Sequence, residues 1–130
     1  MATAPLNATS MFLSLTVNDM AKSLRFYVDG LGFEIVSKNE VDGVLNFAML
    51  KAGNAMLGVG QDDFAKGRDR AKGVGARLWL QTGQDLVALA TRAKAAGLKL
   101  DGDPAPLPWG PMAFAMADPD GFLLTISSPG

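Results

Sequence analysis

Three residues of one segment, Arg77, Trp79 and Gln81, carry the side chains best suited to holding a small molecule. They alternate with Leu78 and Leu80, which is typical of a strand with one face against a core and the other face free. The free face would combine a charge, a flat aromatic surface and an amide, as small-molecule pockets do. A structural ion pair between Arg77 and an aspartate is the alternative, because an unpaired buried charge is costly. A one-residue shift in register would turn the two leucines towards the ligand instead.

Trp109 and Met112 are two further candidates for contact with a ligand. Trp109 lies in a proline-rich loop, residues 103–111, just before a predicted strand that begins at Met112. An indole ring stacks on planar or cationic groups, and a methionine side chain adapts to irregular surfaces. Both residue types also fill ordinary cores, and tryptophan is common in dimer interfaces. Packing is therefore the alternative for each of them.

The composition excludes much of catalytic chemistry. The chain has no histidine and no cysteine, which removes the usual ligands of zinc, copper, nickel and non-haem iron. The same absences exclude Ser-His-Asp and Cys-His nucleophile pairs. Twelve Lys and Arg against 13 Asp and Glu give a net charge of -1, so no basic excess is available for nucleic acid or an anionic membrane. We expect no cofactor, no nucleic-acid partner and no membrane partner, and any metal would have to be held by oxygen alone.

Length and composition predict one domain that folds by itself. A chain of 130 residues buries roughly two thirds of its unfolded surface, and 48% hydrophobic with 19% charged residues is ordinary for a globular protein. The first ten residues have neither a basic nor an apolar segment of the kind found in signal peptides. We therefore expect a cytoplasmic protein.

The order of predicted elements repeats once along the chain, with a period of about 65 residues. Each half is predicted as strand, helix, strand, strand, strand, and a charged connector separates the halves. We place module one at about 11–61, the connector at 62–75 and module two at about 76–127. The connector carries Asp62 and Asp63 and the cations Lys66, Arg68, Arg70 and Lys72, and is predicted to be a solvated loop. The last strand of module one is predicted at 55–60, and the strand after the second helix at 98–101.

Two motifs resemble the vicinal oxygen chelate superfamily, which includes glyoxalase I, extradiol dioxygenases and bleomycin resistance proteins. The first motif consists of Leu15, Val17, Asp19, Ser23, Phe26, Tyr27, Leu31, Gly32 and Phe33. The second motif, Asp118-Pro119-Asp120-Gly121 before the last strand, is also a turn sequence, because proline presets φ and glycine accepts a positive φ. The segment Pro108-Trp109-Gly110 is similar to the bleomycin resistance branch in particular.

The resemblance implies an α+β fold of two βαβββ modules that form an open half-barrel cup, with helices outside and the ligand inside. The mixed rows of the first strands, which include Phe12 and Ser14, would then face the cup together with the row from Arg77 to Gln81. Metal-using members take ligands from the first strand of each module and from the last strand. Those positions fall here on Phe12, on Arg77 or Leu78, and on Thr125 or Leu124, and none of these is a ligand of the family type.

The sequence thus favours a metal-free binding protein of the bleomycin resistance type, a homodimer that sequesters a small organic or aromatic molecule in a cup at the dimer interface. Antibiotic resistance is the role that this resemblance implies. The alternative is a glyoxalase-like or dioxygenase-like enzyme without the usual metal site, and a third reading is a domain used for assembly. The candidate ligand-binding residues are Phe12, Ser14, Arg77, Trp79, Gln81, Trp109, Met112 and Thr125, with no catalytic and no metal residue.

Overall fold

A computed structural model describes residues 4–129 of the chain. It contains eight strands, two α-helices and one π-helical turn within that range. The first module consists of β1 (Leu13–Val17), α1 (Met20–Leu24), the π-helical turn Arg25–Gly30, β2 (Glu34–Val41), β3 (Val44–Ala52) and β4 (Ala55–Gln61). The second module consists of β5 (Arg77–Gln81), α2 (Leu86–Ala95), β6 (Ala105–Pro106), β7 (Met112–Ala117) and β8 (Leu123–Ser127).

The strands form two sheets of four with equivalent connections. The first sheet has the order β1-β4-β3-β2 and the second the order β5-β8-β7-β6. In each sheet the module's first strand lies parallel to its last strand, and the other pairs are antiparallel. The predicted α+β fold of two βαβββ modules, open rather than closed into a barrel, is therefore confirmed.

Alternate residues of the strands build the core against the helices. In the first sheet the inward row includes Leu15, Val17 and Val59, each at most 3% exposed. In the second sheet Leu124 is fully buried and Ile126 is 7% exposed. These residues belong to one continuous hydrophobic cluster that also contains residues of both helices. We call the other face of each sheet, which points away from the helices, its open face.

Local sequence signals set the ends of both helices. Asp19 caps α1 by accepting the N–H of Lys22, and Asp85 caps α2 by accepting those of Val87 and Ala88. Gly97 follows α2 with φ of 91°, the left-handed conformation that glycine adopts without strain. The first helix widens into the π-helical turn after Leu24. No helix within residues 4–129 is long and apolar enough to cross a membrane.

A buried hydrogen bond joins the two modules. The hydroxyl of Tyr27, from the π-helical turn, donates to Asp118 Oδ2 across 2.7 Å. The other carboxylate oxygen of Asp118 accepts the backbone N–H groups of Asp120 and Phe122, which forms the predicted turn before β8. Burial raises the pKa of Tyr27 far above its usual range, and the negative charge of Asp118 adds to that effect. Tyr27 therefore remains a donor at every physiological pH.

The prediction of a strand at 98–101 is wrong. Residues 98–101 form only a single bridge, between Leu100 and Met116, and the edge strand β6 is two residues long and begins later. Prolines explain this short edge, because proline has no N–H to donate to a ladder. Further along, the loop ends at Pro111 and β7 begins at Met112.

The connector is also less solvated than predicted. Asp62 is 6% exposed and binds Arg70 at 3.1 Å and Lys72 at 2.9 Å. The hydrogen bond from Lys72, together with that from the Phe64 N–H, lowers the pKa of Asp62 well below its usual range. Lys72 also donates to Asn18 Oδ1 across 2.6 Å, so the connector is fastened to the end of β1.

Candidate functional site

The open face of the second sheet carries the row of side chains that the alternation of β5 predicts. Arg77, Trp79 and Gln81 are exposed, whereas Leu78 and Leu80 are half-buried and pack against the core. The predicted register of this strand is therefore correct. The edge strand thus presents Arg77, Trp79 and Gln81 on one side of the sheet.

Two hydroxyl groups on β8 hold two of these side chains in place. Arg77 Nη1 donates to Thr125 Oγ1, and Trp79 Nε1 donates to Ser127 Oγ, each across 2.9 Å. Thr125 is 6% exposed and Ser127 is 1% exposed, so both acceptors are fixed in the sheet. A side chain whose polar end is fixed in this way loses less rotamer freedom when a ligand binds.

Trp109 faces Trp79 from the loop 101–111. The two ring centroids are 6.3 Å apart and the planes are inclined by 33°. The loop is closed by hydrogen bonds from the Leu107 N–H to Pro111 O at 2.7 Å and from the Gly110 N–H to Leu107 O at 3.0 Å. Trp109 is 67% exposed and Trp79 is 44% exposed, so a large aromatic surface meets solvent here.

A cavity of about 400 Å³ lies between this loop and the open face of the second sheet. We call it the Trp79 cavity. Its volume falls within the range of small-molecule sites, about 300–1,000 Å³. Alanines 113 and 115 of β7 form its floor, and because their side chains are small they leave the space above the strand open. The remaining lining residues include Arg77, Trp79, Leu107, Trp109 and Thr125.

Charged groups stand at opposite sides of the Trp79 cavity. Arg77 lies on the edge strand β5, whereas Asp101 and Asp103 belong to the loop beyond β7. Lys94 binds Asp103 at 2.6 Å and lowers the pKa of that carboxyl group. The Asp101 N–H donates to Ala115 O across 2.9 Å, which fixes its backbone beside β7.

The open face of the first sheet is built differently. Gly58 and Gly60 occupy β4 there, and the ring of Phe47 lies across them. A methyl group added at Gly58 would come within 2.9 Å of that ring. Ser14 and Thr16 stand beside the same glycines on β1. Phe47 therefore covers the surface that corresponds to the Trp79 cavity.

The structure brings together four of the eight predicted ligand-binding residues. Arg77, Trp79, Trp109 and Thr125 line the Trp79 cavity. Gln81 instead lines a second cleft, between the two modules.

The other three predicted residues lie elsewhere. Phe12 and Ser14 are exposed and belong to the first sheet or its approach. Met112 shares its row on β7 with the buried Phe114 and Met116, which face the helices, so strand alternation places it on the wrong side of the sheet. Its predicted place in the ligand lining is therefore corrected.

Three residues that contribute to the site were missed in the sequence. Ser127 has a signal that was available, since it lies two positions after Thr125 and therefore on the same face. Ala115 and Asp101 gave no signal of their own, because an alanine in a strand and an aspartate in a loop are common features. Only the pairing of β7 with β8 and with residue 101 shows their role.

The cleft between the modules is larger, about 640 Å³. Three of its polar side chains are engaged in hydrogen bonds, since Thr82 Oγ1 donates to Gln84 Oε1 at 3.0 Å and Arg92 Nε donates to Asp29 O at 3.4 Å. The Trp79 cavity offers two indole faces, together with a guanidinium group that a hydroxyl group holds in place. We therefore regard the Trp79 cavity as the candidate site.

The residues at the metal positions of the related enzymes do not fit a divalent ion. Arg77 and Thr125, rather than Leu78 and Leu124, face the open side of the sheet, and the guanidinium group donates to the hydroxyl. A cation at this position would repel a metal ion. Among residues 4–129 no group of three or more Asp or Glu side chains is placed to bind one.

The geometry defines a class of protein with two repeated βαβββ modules and a ligand-sized cavity on the open face of one sheet. The sequence profile of the Glyoxalase/Bleomycin resistance protein/Dioxygenase superfamily matches residues 9–126. The chain therefore belongs to that superfamily. No protein of curated function matches its sequence.

Several solved structures share the fold. TioX from Micromonospora sp. ML1 has a TM-score of 0.75 at 20% identity, over 93% of this chain and 98% of that chain. A glyoxalase-related enzyme from Fulvimarina pelagi has a TM-score of 0.69 at 21% identity, with coverage of 94% and 89%. A superfamily member from Sphaerobacter thermophilus DSM 20745 is 26% identical with a TM-score of 0.68, over 92% of this chain and 98% of that chain.

Proposed function

We propose that this chain is a cytoplasmic, homodimeric binding protein that sequesters a small aromatic molecule in the Trp79 cavity without metal chemistry. The observation that carries the proposal is the pair of indole rings, Trp79 and Trp109, 6.3 Å apart over a floor of alanines. A planar ligand would stack on one or both rings after a small movement of the loop. Each such contact contributes about 0.5–1.5 kcal/mol beyond the burial of apolar area.

The hydrogen bond of Trp79 to Ser127 supports a role in binding rather than in folding. An indole that served only to fill a core would be buried, whereas Trp79 is 44% exposed and is still held by a buried hydroxyl group. Such a ring is ordered before the ligand arrives, which reduces the entropy lost on binding. Sequestration of a toxic aromatic compound, as in antibiotic resistance, fits a site without a nucleophile or metal ligands.

The binding test uses the intrinsic fluorescence of the two tryptophans. A library of small aromatic and antibiotic-like compounds is screened by thermal shift, since a ligand at about 100 times its dissociation constant adds roughly 2.7 kcal/mol to stability. Compounds that raise the melting temperature are then titrated against the wild type and against Trp79→Phe and Trp109→Phe. We expect quenching in the wild type and weaker binding by both variants.

The matched control is Phe47→Leu, which changes an aromatic residue on the open face of the first sheet. We expect it to leave ligand affinity unchanged. The proposed site is contradicted if neither tryptophan variant alters affinity for any compound found, or if Phe47→Leu weakens binding as much as they do.

Metal analysis separates binding from the alternative of an enzyme. We expect purified protein to contain less than stoichiometric zinc, nickel, iron and manganese. One such ion per chain, lost on Thr125→Ala, would instead favour an enzyme at this position.

The exposed apolar residues support the proposed dimer. Phe12 and Leu13, about half exposed, lie at the start of β1, and β1 and β5 are both edge strands. Edge strands and apolar surface are commonly covered by a symmetric copy of the same chain. Light scattering at micromolar concentration should give the mass of two chains, and a single-chain mass would contradict the dimer.

A further inference from the structure

Arg77 brings a positive charge to the Trp79 cavity that no carboxylate balances nearby. The ion pairs within residues 4–129 are Arg70 with Asp62, Lys72 with Asp62 and Lys94 with Asp103. Arg77 has only the neutral hydroxyl of Thr125 as a hydrogen-bond partner, at 2.9 Å. A guanidinium group has five N–H donors and pairs with a carboxylate through two parallel hydrogen bonds. The donors that remain are thus suited to an anionic group of a ligand.

The far side of the cavity carries negative rather than positive charge. Asp103 is neutralised by Lys94, but Asp101 has no ion-pair partner among the residues described. Asp101 lines the cavity, and a carboxylate group can only accept hydrogen bonds. A donor group of the ligand, such as an amine, would be favoured there.

The positions of these two charges set the length of the ligand. Residue 101 lies next to β7, and the sheet order then runs through β8 to β5, which carries Arg77. Three strand spacings, about 14 Å, separate the two backbones across the sheet, and Arg77 lies two residues along β5 from Trp79, the residue level with Asp101. Both residues line the cavity, so a ligand that reaches both charged groups is elongated, and a fused bicyclic ring with a substituent at each end is the simplest planar example. Trp79 and Trp109 line the same cavity and offer their indole faces to such a ring.

We propose that the Trp79 cavity takes a planar aromatic carboxylate, with the carboxylate on Arg77, the ring on the indoles and an amino group towards Asp101. This inference rests on the proposed function, because it names the chemical class that the same cavity binds. It differs from that proposal in assigning a charge and a direction to the ligand. By this inference, planar cations that lack an anionic group bind weakly to the cavity.

Three probes of the same shape test the inference by isothermal titration calorimetry. They are 6-amino-2-naphthoate, 2-naphthoate and the neutral 2-naphthamide. We expect the aminonaphthoate to bind most tightly and the amide most weakly, with 2-naphthoate about 10- to 100-fold tighter than the amide. Equal or tighter binding of the amide would overturn the inference and leave the proposed function standing. If none of the probes binds at about 1 mM, the inference and the naphthalene-sized site both fail.

Variants locate the two ends of the ligand. Arg77→Gln should abolish the preference for 2-naphthoate over the amide. Asp101→Asn should abolish only the advantage of the amino group. The matched control is Arg25→Gln, because Arg25 is an exposed arginine that lines a different groove.

The variants also distinguish the ways in which the inference fails. Retention of the carboxylate preference in Arg77→Gln would overturn it, and so would an equal loss in Arg25→Gln. Loss of amide binding in Trp79→Ala, with the carboxylate preference absent in the wild type, would support the site but overturn the ligand class.

Discussion

The two modules share one topology but place their bulky residues on different strands. In the first sheet the bulk comes from Phe47 on β3, which lies over the glycines of β4. In the second sheet the equivalent of β3 is β7, whose open face carries only alanines, and the bulk comes from Arg77 and Trp79 on the edge strand. The first arrangement covers the sheet, and the second leaves a cavity between the edge strand and the loop.

The residues on the last strand of each module follow the same division. Gly58 on β4 pairs with Ser14 and Met49, and Thr125 on β8 pairs with Trp79 and Ala115 in the corresponding way. Glycine on the last strand lets a ring from the neighbouring strand lie flat on the sheet. Threonine and serine on the last strand instead accept hydrogen bonds, and these bonds hold neighbouring side chains in place. The same strand order is thus compatible with a covered sheet or with a cavity, and the side chains on the open face determine which of the two forms.

Ala115→Phe should make the second sheet resemble the first and gives the largest expected effect. The new ring would fill the floor of the Trp79 cavity, and affinity for aromatic ligands should fall at least about 100-fold, because stacking and burial are both lost. The melting temperature should change little, since the residue faces away from the core. Calorimetry measures the first quantity and thermal unfolding the second.

Ser37→Phe is the control for added bulk, because Ser37 pairs with Met49 on β3 of the first sheet and is exposed. It should leave ligand affinity unchanged. If both variants weaken binding equally, the modules do not differ in the way described.

Tyr27→Phe should have the next largest effect, on the stability of the joint between the modules. The substitution removes the hydroxyl that donates to Asp118 at 2.7 Å and leaves a buried carboxylate oxygen without that partner. We expect the free energy of unfolding to fall by about 1–3 kcal/mol in urea denaturation.

A double-mutant cycle with Asp118→Asn tests whether this loss belongs to the pair. The loss caused by Tyr27→Phe should be smaller in the Asp118→Asn background. Additive losses would mean that the hydrogen bond does not couple the modules.

Ser127→Ala should have the smallest effect. It removes the acceptor of the Trp79 N–H, which is half exposed and can turn to water, so we expect a loss of stability of about 0.5–1.5 kcal/mol. Ligand affinity should fall a few-fold because the indole is less ordered. Ser14→Ala, on the open face of the first sheet, should change neither quantity, and an equal effect of the two variants would remove the distinction between the sheets.

The architecture could be predicted because it depends on periodic signals. Alternation of polar and apolar residues fixed the two faces of β5. The repeat of elements then gave two sheets of the same topology. The short edge strand was missed because its backbone bonds depend on where proline interrupts the ladder, which the apolar pattern of residues 98–101 does not reveal.

The candidate site was predicted only in part, because half of it depends on pairing between distant strands. Trp79 and Trp109 are 30 positions apart, and nothing in the local sequence gives the 6.3 Å between their rings. The face of the sheet on which Met112 lies was predicted wrongly, because the partner strand determines which way the first residue of a strand points. The buried ion pairs of Asp62 were missed because solvated and folded connectors have the same composition.

The two faces of β7 carry residues with different roles, so substitutions on one face have different effects from substitutions on the other. Phe114 and Met116 hold the strand to the core, and the alanines between them determine the room above it. A substitution at Ala115 would therefore change the volume of the Trp79 cavity while the contacts of Phe114 and Met116 with the core stay intact. Such a strand lets the space above the sheet change in single steps, without first gaining spare stability to tolerate them.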